Sequence, residues 1–149
     1  MATKQQTPLN HARQVLDIEL AGLKAVRSQL DGQFTATVGI LKEALTRRNK
    51  LVVVGIGKSG NIGQKISATF NSTGATSVLL DPANALHGDI GLLDGGDVVL
   101  ALSYSGESDE LLSLMAAIKK FPVQIVALTG APKSALAKLS DVVLNAKVP

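Results

Sequence analysis

Five short, unbroken apolar runs recur from Leu51 onward: "LVVVGI", "TSVLL", "DVVLALS", "VQIVALTG" and "DVVLNA". Runs of this length, apolar at successive positions, are what strands buried on both faces of a parallel sheet require. Between them lie segments with helical character, "NIGQKISATFNSTG", "SDELLSLMAAIKKF" and the shorter "PKSALAKLS". Strands alternating with helices build a parallel sheet through right-handed crossovers. Residues 81–96 break the pattern. They are rich in Gly, Asp, Asn and Pro and connect the second strand to the third with at most a short helix.

Two amphipathic helices are expected before the first strand. Leu16, Leu20, Leu23, Val26 and Leu30 recur at steps of three and four, and Asp31 and Gly32 end that stripe. Phe34, Val38, Leu41 and Leu45 form a second apolar face. These stripes need cover from the sheet or from a second subunit, and the second of these would be self-association. Residues 1–10 read as a loose tail.

A chain of 149 residues is one domain. It buries roughly 68–70% of its unfolded surface and needs no staples. The absence of cysteine removes disulfides, thiolate metal sites and cysteine nucleophiles. The polar start, "MATKQQTPLNHARQ", lacks the apolar core of a signal peptide, and no apolar run reaches the ~20 residues of a membrane span. A soluble, cytoplasmic protein is expected. The net charge of +3 is spread out, apart from "RRNK" at 47–50, and aromatics make up only 3%. Nucleic-acid binding, which needs a basic stripe or stacking platforms, is not expected.

In open parallel sheets, ligands sit outside the carboxyl ends of the strands. Loops there include "GIGKSG" after the first strand, "SYSGESDE" after the third and "LTGAPKS" after the fourth. The first fails the Walker pattern, because Val52 stands where its leading glycine belongs. Gly55, Gly57 and Gly60 satisfy the dinucleotide spacing, and Asp81 lies about where that fold places its ribose acid. Glycines opening a helix present amides to an anion, and Lys58 adds a full positive charge. In the second loop Ser103, Ser105 and Ser108 surround Gly106, and hydroxyls with backbone amides suit a phosphate monoester. One helix cap needs one serine, not three. Glu107, Asp109 and Glu110 complement the helix dipole, yet carboxylates beside a phosphate repel it, so one of them is read as a proton-transfer group. His87, in "ALHGDIG", is a structural residue, a base or, with Asp89, a weak metal ligand. His11 carries no signal.

Together "VVVGIGKSGNIGQKISATFNSTG", "ALHGDIG" and "SYSGESDE" resemble the sugar isomerase (SIS) domain of arabinose-5-phosphate isomerases, in order, from about residue 10 to the last residue. The resemblance implies a flavodoxin-like α/β fold, with a five-stranded parallel sheet flanked by helices and preceded by two more. It implies interconversion of D-ribulose 5-phosphate and D-arabinose 5-phosphate through an enediol, for synthesis of Kdo, a sugar of lipopolysaccharide or capsule. It implies no redox cofactor, no metal, and a homo-oligomer, a dimer or tetramer. By motif, Lys58, Glu110 and His87 match the family's catalytic positions. Gly57, Ser59, Ser103, Ser105, Gly106 and Ser108 match its substrate-binding ones. The family continues past "VVLNAKVP" with a glutamate, a histidine, a closing helix and often CBS modules. Residues 11–149 are therefore expected to be a truncated SIS domain, possessing two of four active-site side chains and inactive alone. A non-catalytic sugar-phosphate-binding or regulatory domain is the alternative. All of this requires Lys58 and the Ser103–Ser108 turn to reach one small molecule.

Overall fold

A computed structural model describes residues 7–149. Five strands form one all-parallel sheet: β1 (Leu51–Gly55), β2 (Ser77–Leu80), β3 (Val98–Leu102), β4 (Gln124–Thr129) and β5 (Val142–Asn145), in the order β2-β1-β3-β4-β5. The expected α/β class and strand count are both present. Every residue of β1 is buried, and this two-sided cover is why the run reads as continuously apolar.

Alternate residues of each strand feed two separate cores. Val52, Val54, Val99, Ala101, Ile125 and Ala127 pack beneath α4 (Pro82–Leu86), α5 (Asp109–Ile118) and α6 (Ala135–Leu139). Leu111, Leu114, Met115 and Ile118 supply the buried stripe of α5, at the spacing of one helix face. On the opposite face, Leu51, Val53, Val98, Leu102, Val126 and Val142 meet α3 (Lys58–Ser72) and α2 (Gly32–Thr46). Full burial of each such Val or Leu side chain stabilises the fold by about 1.5–3 kcal/mol. Residues 81–96 hold α4 and a 3-10 turn at Asp89–Leu92, consistent with the short-helix expectation.

The two leading helices differ from each other. In α2 the sheet-facing side is Thr37, Ile40, Leu41 and Ala44, whereas Phe34 and Val38 of the anticipated face point outward. Helix α1 (Pro8–Ser28) starts inside the anticipated tail, because Thr7 caps it by accepting from Asn10 N and Pro8 occupies its first turn. Residues 1–6 of that tail lie outside the described residues. Leu16, Leu20 and Leu23 of α1 remain more than half exposed. Its contacts with the end of the chain are Gly22 against Val148 and a 2.8 Å hydrogen bond from Gln29 Nε2 to Lys147 O.

At the amino-terminal end of the sheet, Asp97 is fully buried. Its carboxylate accepts from Lys50 N at 3.0 Å and Asp94 N at 2.9 Å, and pairs with Lys50 Nζ at 2.7 Å. Lys50 also pairs with Asp94 at 2.6 Å. Burial pushes the Asp97 carboxyl up, but the hydrogen bonds and charge of Lys50 outweigh it and hold the group below the usual carboxylate range. Burial likewise pulls Lys50 down, and its two carboxylate partners more than restore it, leaving it raised.

The lowered Asp97 therefore contributes stability that is present above its unfolded value and is lost as pH falls through the folded one. The raised Lys50 contributes stability present below its unfolded value and lost as pH rises through the folded one. Asp97→Asn is expected to cost about 3–5 kcal/mol, a fall in Tm of roughly 6–20 °C. It should also flatten the acid limb of the Tm–pH curve. Melts from pH 2 to 8 check this, and an unchanged acid limb would remove Asp97 from the account.

Candidate active site

Strands β1 and β3 are hydrogen-bonded neighbours, paired from Leu51↔Val98 to Gly55↔Leu102. They end level, so the turns that follow them open side by side. The chain leaves β1 for β2 on one side and meets β3 on the other. The gap between β1 and β3 is thus the topological switch point, where open α/β sheets bind ligands.

After β1 the chain passes directly into α3, whose first residue is Lys58. A β-carbon added at Gly60 lies 2.9 Å from Gly55 O, and one at Gly55 lies 2.9 Å from Ser59 O. Only glycines let the helix sit this close to the strand, which explains two of the three glycines of "GIGKSG". No side chain caps the start of α3; Ser59 N donates to Ile56 O at 3.1 Å, and the exposed Lys58 stands at the same helix start.

The second turn is braced from within and from below. Ser103 Oγ accepts from Gly106 N at 3.0 Å, and Ser105 Oγ accepts from Glu107 N at 3.4 Å. Each of these hydroxyls keeps its proton to donate. Ser108 occupies the N-cap position of α5 but makes no capping bond. Gly106 has φ +66°, and its carbonyl accepts from Leu136 N at 3.0 Å. Glu107 Oε1 accepts from Ala135 N at 3.0 Å, which commits that carboxylate to the start of α6.

Lys58 and Ser103 line a single cavity of about 250 Å³, with Ser59 and Ile62 on the α3 side and Leu102 in the floor. Tyr104, Leu128, Thr129, Gly130 and Ala146 close the opposite side. A space just under the roughly 300–1,000 Å³ typical of drug-sized ligands suits a small metabolite. Ser105 opens instead on an adjoining cavity of about 580 Å³, shared with Glu107, Gly130, Lys133, Ser134 and Lys147. The two cavities meet at Gly130.

Glu110, in the first turn of α5, and His87, at the carboxyl end of α4, line neither cavity, and neither do Gly57, Gly106 and Ser108. Asp81 is engaged as the cap of α4, its Oδ1 accepting from Ala83 N at 2.9 Å and Asn84 N at 3.3 Å. Among the described residues no three His, Cys, Asp or Glu side chains are grouped to hold a metal, and no helix is long and apolar enough to cross a membrane.

Sequence reasoning overlooked Tyr104 and Thr129. The Thr129 hydroxyl donates to Tyr104 O at 3.1 Å and accepts from Ala131 N at 3.1 Å, joining the turns after β3 and β4. The signal was present: Tyr104 sits inside "SYSGESDE" and Thr129 inside "LTGAPKS", where serines and glycines drew attention first.

Two turns side by side at the switch point of a parallel sheet, opening on one cavity, are the arrangement of a ligand-binding α/β domain. Residues 44–149 match the SIS domain family, and the chain belongs to it. It is similar to the arabinose 5-phosphate isomerase KdsD of Salmonella typhimurium, at 41% identity over 92% of this chain and 41% of that protein. It is also similar to the KdsD of Francisella tularensis, at 36% identity over 99% of this chain and 45% of that protein. The chain thus spans less than half the length of these relatives. A solved Escherichia coli protein in complex with arabinose 5-phosphate superposes with a TM-score of 0.78 at 31% identity, covering 96% of this chain and 76% of that one. A candidate phosphosugar isomerase involved in capsule formation, from Bacteroides fragilis, superposes with a TM-score of 0.83 at 34% identity, covering 93% and 74% respectively.

Gly106→Ala would bring its methyl against Ser134 Oγ and to 2.6 Å from Ser134 Cβ, in a backbone conformation that disfavours any side chain. We expect a loss of roughly 2–5 kcal/mol, combining left-handed strain with overpacking. Thermal melts check it, and a change within about 0.5 kcal/mol (the spread of surface substitutions) would contradict the bracing described.

Proposed function

We propose that this chain is the substrate-binding and catalytic domain of an aldose–ketose isomerase that interconverts D-ribulose 5-phosphate and D-arabinose 5-phosphate. The observation that carries this is the shared cavity of Lys58 and Ser103 at the β1/β3 switch point. The similarity to arabinose 5-phosphate isomerases supports the choice of sugar.

The chemistry follows from the groups present. With the sugar open, a base removes the proton α to the carbonyl, and the resulting enediol is reprotonated at the adjacent carbon. Negative charge develops on the carbonyl oxygen, where the Lys58 ammonium lowers its energy more than it lowers that of the neutral ketone. Glu110 is assigned the proton transfer and His87 an accessory role. Ser59, Ser103, Ser105 and Ser108, with the backbone at Gly57 and Gly106, hold the phosphate and sugar hydroxyls. The open switch-point cavity and the uncapped start of α3 support an anionic ligand there. The reaction needs no redox cofactor.

One observation favours a second reading. Glu110 and His87 line neither cavity, which suits a domain that binds a sugar phosphate without turning it over. The same experiment separates the two. In the full-length protein, Lys58→Met is expected to lower kcat by about 10²–10³ while KM changes less, as for loss of one transition-state donor. Conversion of ribulose 5-phosphate to arabinose 5-phosphate is the assay. Saturable binding by the unaltered protein without turnover would establish the second reading instead.

Self-association belongs to the same proposal. The row of Leu16, Leu20 and Leu23 on α1 is 52–67% exposed and is not covered by the sheet. Leu16→Glu with Leu23→Glu should convert the assembly to monomers in sedimentation velocity, leaving the far-ultraviolet dichroism unchanged. Unaltered sedimentation of a folded double variant would place the interface elsewhere.

A further inference from the structure

Residues 146–148, which follow β5, make three hydrogen bonds to three different parts of the molecule. Ala146 N donates to Thr129 O at 2.8 Å, at the end of β4, and Ala146 itself lines the Lys58 cavity. Lys147 O accepts from Gln29 Nε2 at 2.8 Å, at the carboxyl end of α1. Val148 N donates to the Tyr104 phenol oxygen at 3.4 Å. The segment therefore links α1 to the turn after β3.

Tyr104 lines the Lys58 cavity. Its ring rests on Gly130, where an added β-carbon would lie 2.7 Å from both Cδ2 and Cζ. Its carbonyl accepts from Gly130 N at 3.0 Å and from the Thr129 hydroxyl at 3.1 Å. These contacts hold its backbone and the side of its ring. The far end of the ring is the phenol oxygen, which accepts from Val148 N. Whatever places Val148 thus places that end of the ring.

Helix α1 supplies that placement. Among the described residues, Gly22 is the one buried residue of the 21 in α1. A β-carbon added there would lie 3.4 Å from Val148 Cγ1, so the valine side chain seats on the bare helix backbone. Glycine inside a helix is destabilising relative to alanine, and here it stands where the helix meets this segment. Gln29 adds a second hold one residue earlier in the segment. Its amide is anchored in turn by donating to Ala25 O at 2.9 Å. Attachment at two consecutive residues leaves the segment little room to shift along the helix.

We propose that Gly22 and Gln29 of α1 are positioning residues of the site, holding Lys147 and Val148 so that the Val148 amide fixes the Tyr104 ring in the lining of the Lys58 cavity. The inference rests on the sugar-phosphate reading above and adds a helix that sequence reasoning connected only with self-association. Neither Gly22 nor Gln29 lines the cavity, so both act through the segment. Loosening the segment frees the ring, and the ligand then has to order it on binding.

The test uses the 149-residue chain, in which Tyr104 is the only tyrosine and tryptophan is absent, so intrinsic fluorescence reports that ring alone. Gly22→Val sets a branched side chain, stiff about χ1, against Val148. It should weaken binding of D-arabinose 5-phosphate by about 3- to 10-fold in calorimetry, the scale of one neutral hydrogen bond. Acrylamide quenching of Tyr104 should rise with it. Gln29→Leu, which removes the donor at similar volume, should move both readouts the same way. Gly22→Ala, whose methyl makes an ordinary contact at 3.4 Å, should keep both parent values. If Gly22→Val does not fold, as judged by circular dichroism, Gln29→Leu decides. Parent-like quenching in the deciding folded variant overturns the link between α1 and the ring. Raised quenching with parent-like affinity overturns the positioning role and leaves the sugar-phosphate reading intact. An unaltered chain that does not bind the sugar phosphate overturns that reading, while the quenching comparison still decides whether α1 sets the ring.

Discussion

The pairing of β1 with β3 is the constraint from which the rest of the site follows. Parallel hydrogen bonding from Leu51↔Val98 to Gly55↔Leu102 fixes where both strands stop. A one-residue slip would exchange the residues facing the two cores and move one turn relative to the other. The Asp97–Lys50 pair sits at the opposite end of the same two strands, where Asp97 accepts from the amide of Lys50, the residue just before β1. A buried carboxylate satisfied by two backbone amides and an ammonium tolerates little displacement. The clamp is distant from the cavity, yet it holds the alignment that sets Lys58 beside Ser103.

The polar groups of the second turn serve architecture and recognition together. Ser103, Ser105 and Glu107 all accept backbone N–H groups. For the hydroxyls this costs nothing in ligand binding, because an oxygen that accepts still donates its own proton. An ionised carboxylate has no proton to give, and Glu107 instead accepts from Ala135 N, which ties the turn to α6. Thr129 repeats the device between β4 and Tyr104. A turn braced by so many short-range bonds arrives at the ligand pre-organised, which spares binding the cost of ordering it.

Several elements were legible before any coordinates. The five apolar runs became the five strands, because two-sided burial leaves no polar positions to blur them. Lys58 at a helix start after a strand was readable from glycine spacing, and Gly55 and Gly60 have the close backbone approach that such spacing encodes. The exposed face of α2 was misjudged. Phe34 and Val38 look like core residues by hydrophobicity, while the side turned to the sheet is that of Thr37, Ile40, Leu41 and Ala44. Tyr104 was passed over because an aromatic in a loop has no periodicity to interpret. Its meaning comes from Gly130, far along the chain and against its ring in the fold.

The sequence by itself determined the class of fold, the two anion-seeking turns and the chemical kinds of group that they carry. Local backbone preferences and the burial demands of a parallel strand act over a few residues and leave their mark in composition and spacing. Only the tertiary structure decided that β3 lies directly beside β1, so that their two turns open on one cavity. It alone decided that Glu107 ties its turn to α6 and that the Tyr104 ring rests on Gly130. These outcomes depend on contacts between segments far apart in the chain, whose geometry is set by packing the whole sheet at once.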